Sequence, residues 1–127
     1  MQKISKNNDI IMILGLGYVG LPLSLELSKF FKVIGFDTDK QRIKDLRRGF
    51  DKTNEVTKKN LLTKVNLELT FNYLNYDYCN VFIITVPTPV NKRNEPDLKN
   101  LKKAASSVAK IINKGSIVVI ESTVYPG

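Results

Sequence analysis

The feature that most constrains this chain is a series of short apolar runs set between helical patterns, with glycines crowded at the first junction. Ile10–Leu14 is wholly apolar, and VFIITV over Val81–Val86 is β-branched and apolar but for one threonine. Strands of that kind are buried on both faces, which requires helices on either side of a sheet. The alternation therefore predicts parallel strands linked by crossover helices. Read in order, it predicts a strand over 10–14, a helix from about Tyr18 to Phe30, and a strand over Lys32–Phe36. A helix over 39–48 follows, with Ile43 and Leu46 inward and Gly49 stopping it. Residues 50–66 are polar, and Leu61, Leu62 and Val65 imply a short helix there. Strands over Leu67–Thr70 and Val81–Val86 precede a loop carrying Pro87, Pro89 and Pro96. Asp97 is the expected N-cap of a helix whose apolar positions are Leu98, Leu101, Ala105, Val108 and Ile112, a spacing near 3.6. Gly115 closes it, and Ile117–Ile120 forms a fifth strand. The expectation is an α/β chain: one doubly wound parallel sheet, with residues 1–127 as a single domain.

Composition removes several chemistries. The chain has no His, which excludes Ser-His and Cys-His catalysis and His-bound metal, and its one Cys excludes an internal disulfide framework. No metal site is expected. The net charge of +8 and the pI near 9.6 raise the question of a polyanion partner. The positives are 16 Lys against 4 Arg, in a chain that also holds 12 Asn and 12 Ile, which reads as compositional drift. They are spread along the chain and mixed with acids, and no aromatic residues interleave them as a stacking platform needs. The expectation is solvated helix faces, with neither nucleic acid nor membrane as a partner. The uncharged run from Ile10 to Leu25 has the outline of a leader peptide. Asp9 before it, three glycines and Pro22 within it, and no small-residue cleavage site before Glu26 argue against that. At 16 residues it is also short for a membrane span, which needs about 20. A cytoplasmic protein is expected.

At the first junction stands Gly15-Leu16-Gly17-Tyr18-Val19-Gly20, a G-x-G-x-x-G between a strand and a helix. Gly15 would permit the tight turn, Gly17 would let a pyrophosphate approach the backbone, and Gly20 would let helix and strand pack closely. The helix N-terminus then offers N–H groups and a positive dipole end to phosphates. Asp37 closes the second strand, 20 residues beyond Gly17, where an acid accepts hydrogen bonds from the adenosine ribose. Together these predict dinucleotide binding on a Rossmann-type sheet. A carboxylate at Asp37 repels a 2′-phosphate and favours NAD over NADP, although Arg42 nearby weakens that exclusion. The other reading is a glycine turn that binds nothing, with Asp37 capping the next helix. Strand four delivers Val86, Pro87 and Thr88 to the same sheet edge, and strand five delivers Thr123. Spacing leaves both threonines open between a nicotinamide-side role and ordinary turn capping.

The ordered set G-L-G-Y-V-G-L-P, G-F-D, V-P-T-P-V-N-K-R-N-E-P-D-L and E-S-T-V-Y-P-G resembles the NAD-binding domain of the UDP-glucose/GDP-mannose dehydrogenase family. Within it, the last two motifs look most like the UDP-N-acetylglucosamine and galactosamine 6-dehydrogenases of capsule and related surface-polysaccharide pathways. The resemblance implies oxidation of the sugar C6 alcohol to a carboxylate with two NAD, through a cysteine-bound aldehyde. It implies pyrophosphate-loop roles for Gly15, Gly17, Tyr18 and Val19, a ribose role for Asp37, and a basic position beside that ribose for Arg42. Val86 and Thr88 would lie near the nicotinamide ribose, and Thr123 would help position cofactor and water. The family's catalytic Cys, Lys and Asn fall on no residue here: Cys79 sits in Tyr78-Cys79-Asn80, outside the family's glycine-rich cysteine motif, and is expected to be an inert thiol. A sixth strand and the sugar-binding domain are likewise absent from these residues. The expectation is a chain that binds NAD but is inactive alone, belonging to an enzyme that takes a UDP-sugar and works as a homodimer. Two alternatives stand beside it: a free-standing NAD-binding module, and a basic nucleic-acid-binding protein with a coincidental glycine loop.

Overall fold

The structure is a computed structural model and describes residues 8–121. Five strands form one sheet: β1 Ile10–Leu14, β2 Lys32–Phe36, β3 Leu67–Thr70, β4 Val81–Ile84 and β5 Ile117–Ile120. All neighbours are parallel, in the order β3-β2-β1-β4-β5. This is the strand order of a Rossmann sheet with β1 in the middle and the order reversing between β1 and β4. The uncharged run that has the outline of a leader supplies β1 and the first helix. The helices are α1 Gly20–Leu27, α2 Lys40–Arg47, α3 Lys58–Leu62 and α4 Lys99–Ile111.

Alternation along the strands sorts side chains into two cores. On one face Ile11, Ile13, Val33, Leu67, Leu69, Val81 and Ile83 pack with Leu21 of α1, Ile43 and Leu46 of α2, and Leu61 of α3. On the other, Met12, Leu14, Ile34, Phe36, Phe82 and Ile84 pack with Ala104, Val108 and Ile111 of α4. Both faces are covered, as an apolar parallel sheet demands.

The strands fall where the hydrophobic runs place them, apart from the end of β4, which stops at Ile84. Beyond it, Thr85 turns its side chain back to the β1 loop. The helices differ more. α1 begins at Gly20, with Tyr18 and Val19 in the turn before it, and ends at Leu27. Past that point the Phe30 N–H bonds the Leu27 carbonyl at 3.0 Å, a tightened turn in place of further α-helix. In the polar stretch Leu61 is buried, as is Asp51, while Leu62 and Val65 are exposed. α4 starts at Lys99, with Leu98 as a cap that makes no side-chain bond, while Asp97 accepts the Lys99 N–H at 3.0 Å. Its inner face is Leu101, Ala104, Val108 and Ile111, so Ala105 and Ile112 face outward. Neighbouring apolar residues on both flanks of that face made the phase ambiguous by one residue.

Candidate cofactor site

The glycine loop leaves β1 at the centre of the sheet, where the Gly15 N–H still bonds the Phe36 carbonyl at 2.9 Å. Gly15 has φ +102°, and a Cβ there would press on the Val86 backbone nitrogen at 2.9 Å. Glycine is needed for both reasons. At Gly20 a Cβ would overlap the Gly15 carbonyl oxygen and the Thr85 hydroxyl. Gly17 differs: a Cβ there would meet nothing within 4 Å. The backbone at Gly17 therefore faces open space, the room a pyrophosphate would take up against it. Thr85 ties the parts together, its Oγ1 lying 2.7 Å from the Gly15 carbonyl oxygen and 3.1 Å from that of Leu14.

At the end of β2, Asp37 turns back to the same loop. Its Oδ2 accepts the Leu16 N–H at 2.9 Å and its Oδ1 accepts the Asp39 N–H at 2.9 Å. A carboxylate has about four lone-pair positions, so Asp37 keeps acceptor capacity for a ribose diol. It is not the cap of α2; Asp39 is, accepting from the Gln41 and Arg42 N–H groups at 3.0 and 3.2 Å. The reading of Asp37 as a helix cap is thereby corrected: the cap lies two residues further on.

Arg42, in the first turn of α2, grips the other side of Leu16. Its Nε donates to the Leu16 carbonyl at 2.8 Å and its Nη1 to Asp51 Oδ1 at 2.7 Å. The two side chains are only 4% and 1% exposed. Nη2 makes no hydrogen bond, the one such buried side-chain nitrogen or oxygen among the described residues. Asp51 also accepts from Thr53 N and Oγ1, Glu55 N and Val56 N at 2.6–3.1 Å. Burial alone would raise its carboxyl, but the bonds from Thr53 and Arg42 outweigh it and hold the group far below the usual carboxylate range.

These parts surround a cavity of about 580 Å³, within the size range of small-ligand sites. Gly15, Leu16, Gly17, Tyr18 and Val19 line it from the loop; Asp37, Thr38, Asp39 and Arg42 line it from β2 and α2. Val86 and Pro87 line it from the end of β4. Leu16 is fully buried and Tyr18 is 60% exposed, so the loop presents backbone and one exposed ring. Gly20 lies behind the wall at the start of α1, and Thr88 is buried in the loop after β4, off the cavity wall. Thr123 lies outside the described residues. Sequence reasoning missed Lys52 and Thr53, and also Asn100, Lys103 and Ser107, which α4 turns to the cavity. The last three recur at helical spacing beside Ala104, a polar stripe bordering the apolar one, and that periodicity was available to find them. Asp51 had no sequence signal, because its importance comes from reaching Arg42 across the fold.

Cys79 packs into the core facing α4 and is 1% exposed. Burial pushes its thiol up to about 12, with Lys32 offsetting little of that effect. Below that value the thiolate is scarce and the sulfur is enclosed, so the group is inert. In the native protein at pH 8, a thiol-exchange reagent is expected to leave Cys79 untouched over an hour and to titrate one thiol after denaturation. Rapid reaction in the native state would contradict this burial.

The sequence was compared with known proteins. The profile of the UDP-glucose/GDP-mannose dehydrogenase family, NAD binding domain, matches residues 9–127. The chain belongs to that family. The family's NAD-binding domain identifies the cofactor as NAD, and the open backbone at Gly17, the free acceptor capacity of Asp37 and the cavity between them fit it. UDP-N-acetyl-D-glucosamine 6-dehydrogenase of Pseudomonas aeruginosa is 50% identical over 117 residues, covering 92% of this chain and 28% of that protein. Protein CapL of Staphylococcus aureus is 49% identical over 120 residues, covering 94% and 28%. In structure, the UDP-D-ManNAc dehydrogenase of Pyrococcus horikoshii superposes with a TM-score of 0.81 at 35% identity, covering 93% of this chain and 29% of that one. The chain thus spans somewhat over a quarter of the length of the relatives it matches.

Proposed function

We propose that these residues form the cofactor-binding part of an NAD-dependent UDP-N-acetylhexosamine 6-dehydrogenase of surface-polysaccharide synthesis. The observation that carries the reading is the Asp37 carboxylate beside the open Gly17 backbone, in a chain that matches this family's NAD-binding domain. UDP-N-acetyl-D-glucosamine is the favoured substrate of the whole enzyme, since the relative of that name is 50% identical, against 35% for a UDP-N-acetyl-D-mannosamine dehydrogenase. NAD, when bound, accepts hydride from the sugar carbon. Around it, the N–H groups at the start of α1 meet the pyrophosphate, with Gly15, Leu16, Gly17, Tyr18, Val19 and Gly20 shaping that loop. Asp37 accepts from the adenosine ribose hydroxyls, and Arg42 braces the loop from the other side. On the family resemblance Val86 and Pro87 would line the nicotinamide side, with Thr88 buried behind them, and Thr123 would help position cofactor and water.

Residues 1–127 hold one cysteine, and it is buried. On this reading they bind NAD without oxidising a sugar by themselves, and a free-standing NAD-binding module is the second reading. The whole enzyme is a cytoplasmic homodimer. The positive charge of residues 1–127 is background and serves neither nucleic acid nor membrane. In support, Arg42 is buried and Arg47 bonds the Leu69 carbonyl at 2.7 Å.

Calorimetric titration with NAD tests the site. Asp37→Ala is expected to weaken binding by about 1–3 kcal/mol, the worth of hydrogen bonds to a charged group. Its thermal stability should fall as well, because the part-buried Leu16 N–H and the exposed Asp39 N–H each lose an acceptor. Unchanged affinity would remove Asp37 from the ribose site.

A further inference from the structure

We infer that Asp51 determines cofactor selectivity: by pairing with Arg42 it stops that guanidinium from receiving a 2′-phosphate, and so preserves the preference for NAD over NADP. The inference rests on reading the cavity as an NAD site. An arginine near the ribose acid is the usual receptor for the extra phosphate of NADP, and Arg42 lines this cavity within the same turn as Asp39. Its presence beside Asp37 would undercut the exclusion that Asp37 imposes. The structure resolves that conflict. Nη1 is bonded to Asp51 and Nε to the Leu16 carbonyl, with both side chains almost wholly enclosed. The arginine charge is cancelled where it sits, and the guanidinium is held as part of the wall.

Asp51 is itself held firmly. Besides Arg42 it accepts three backbone N–H groups and the Thr53 hydroxyl, which fold the 51–56 segment around the carboxylate. That anchoring keeps it from releasing Arg42 to an incoming phosphate. The other charges on the wall, Asp39 against the cations Lys52 and Lys103 of the 51–56 segment and α4, do not replace a guanidinium held beside Asp37. With Arg42 neutralised, the Asp37 carboxylate has no paired cation to offset it at the end of β2, which disfavours a 2′-phosphate. With Asp51 uncharged, Arg42 carries an uncompensated buried charge and an unbonded Nη2, and a phosphate becomes its best available partner.

The test is calorimetric titration of the protein with NAD and with NADP. The wild type should prefer NAD. Asp51→Asn should raise the NADP-to-NAD affinity ratio at least tenfold. Arg42→Met/Asp51→Asn, which removes both charges, should return the ratio to within threefold of wild type. A loss of local packing alone would weaken both cofactors by the same factor in Asp51→Asn, and that result overturns the inference. Should Asp51→Asn fail to fold, the double variant, relieved of its stranded charge, decides. A ratio within threefold of wild type supports a pair that is neutral toward the ribose, and a tenfold shift in either direction overturns it. Wild-type protein that binds neither cofactor would instead defeat the NAD reading itself, and the inference with it.

Discussion

Gly20→Ala is expected to cost about 3 kcal/mol or more and to abolish measurable NAD binding. Overpacking a tight site usually costs 1–3 kcal/mol, occasionally more, because neighbours can shift. Here the first atom met is the carbonyl oxygen of Gly15 and the next is the hydroxyl of Thr85. The carbonyl is backbone, in a loop already bonded to Phe36, and the hydroxyl is bonded to that same carbonyl. Neither has a rotamer to retreat to without breaking a hydrogen bond, which puts the cost at the upper end. Thermal melting should fall by about 10 °C or more, and the loop that would receive the pyrophosphate should lose its shape. Gly17→Ala is the control. Its Cβ enters empty space, so the melting temperature should stay within about 2 °C of wild type while NAD affinity drops. If the two variants melted alike, the distinct roles assigned to the glycines would be wrong.

Arg42→Ala should destabilise the protein by about 3–5 kcal/mol, the range for removing one partner of a buried ion pair. The loss has two sources: Asp51 keeps a buried charge without its cation, and the Leu16 carbonyl loses its bond from Nε. Urea denaturation at pH 7 measures it. Acid gives a second signature through Asp51. Its ordinary value is 3.8 and its folded value lies well below that, so at pH values between the two the unfolded chain takes up the proton more readily. The stability it contributes is therefore complete above about pH 4 and is lost as pH falls further. Asp51→Asn should differ most from wild type above pH 4 and converge on it toward pH 2. A constant difference across that range would exclude the depressed carboxyl as its cause.

The convergence of Asp37 and Arg42 on Leu16, with the 51–56 segment holding Arg42 through Asp51, explains why one part of this site was readable and another was not. Gly15, Gly17, Gly20 and Asp37 lie at spacings set by a strand, a turn and a helix in succession, so a linear pattern reports their geometry. Arg42 was readable as a basic residue near Asp37 but not as a buried one. Its environment depends on Asp51, nine residues away in sequence and brought to it by the turn after α2. The helical phase of α4 was legible only to within one residue, because Ala104 and Ala105, and Ile111 and Ile112, are equal in hydrophobicity and only packing on Phe82 and its neighbours chooses between them.

By itself, the sequence determined the parallel sheet, the order of its elements and the cofactor loop, because those follow from period, propensity and the few residue types a tight turn admits. The tertiary structure alone decided which charges count. Arg42 and Asp51 cancel each other inside the wall, Asp37 is left on the cavity with acceptor capacity to spare, and Cys79 is sealed in the core. Charge and reactivity depend on dielectric and on partners across the fold, and neither is written in the spacing along the chain.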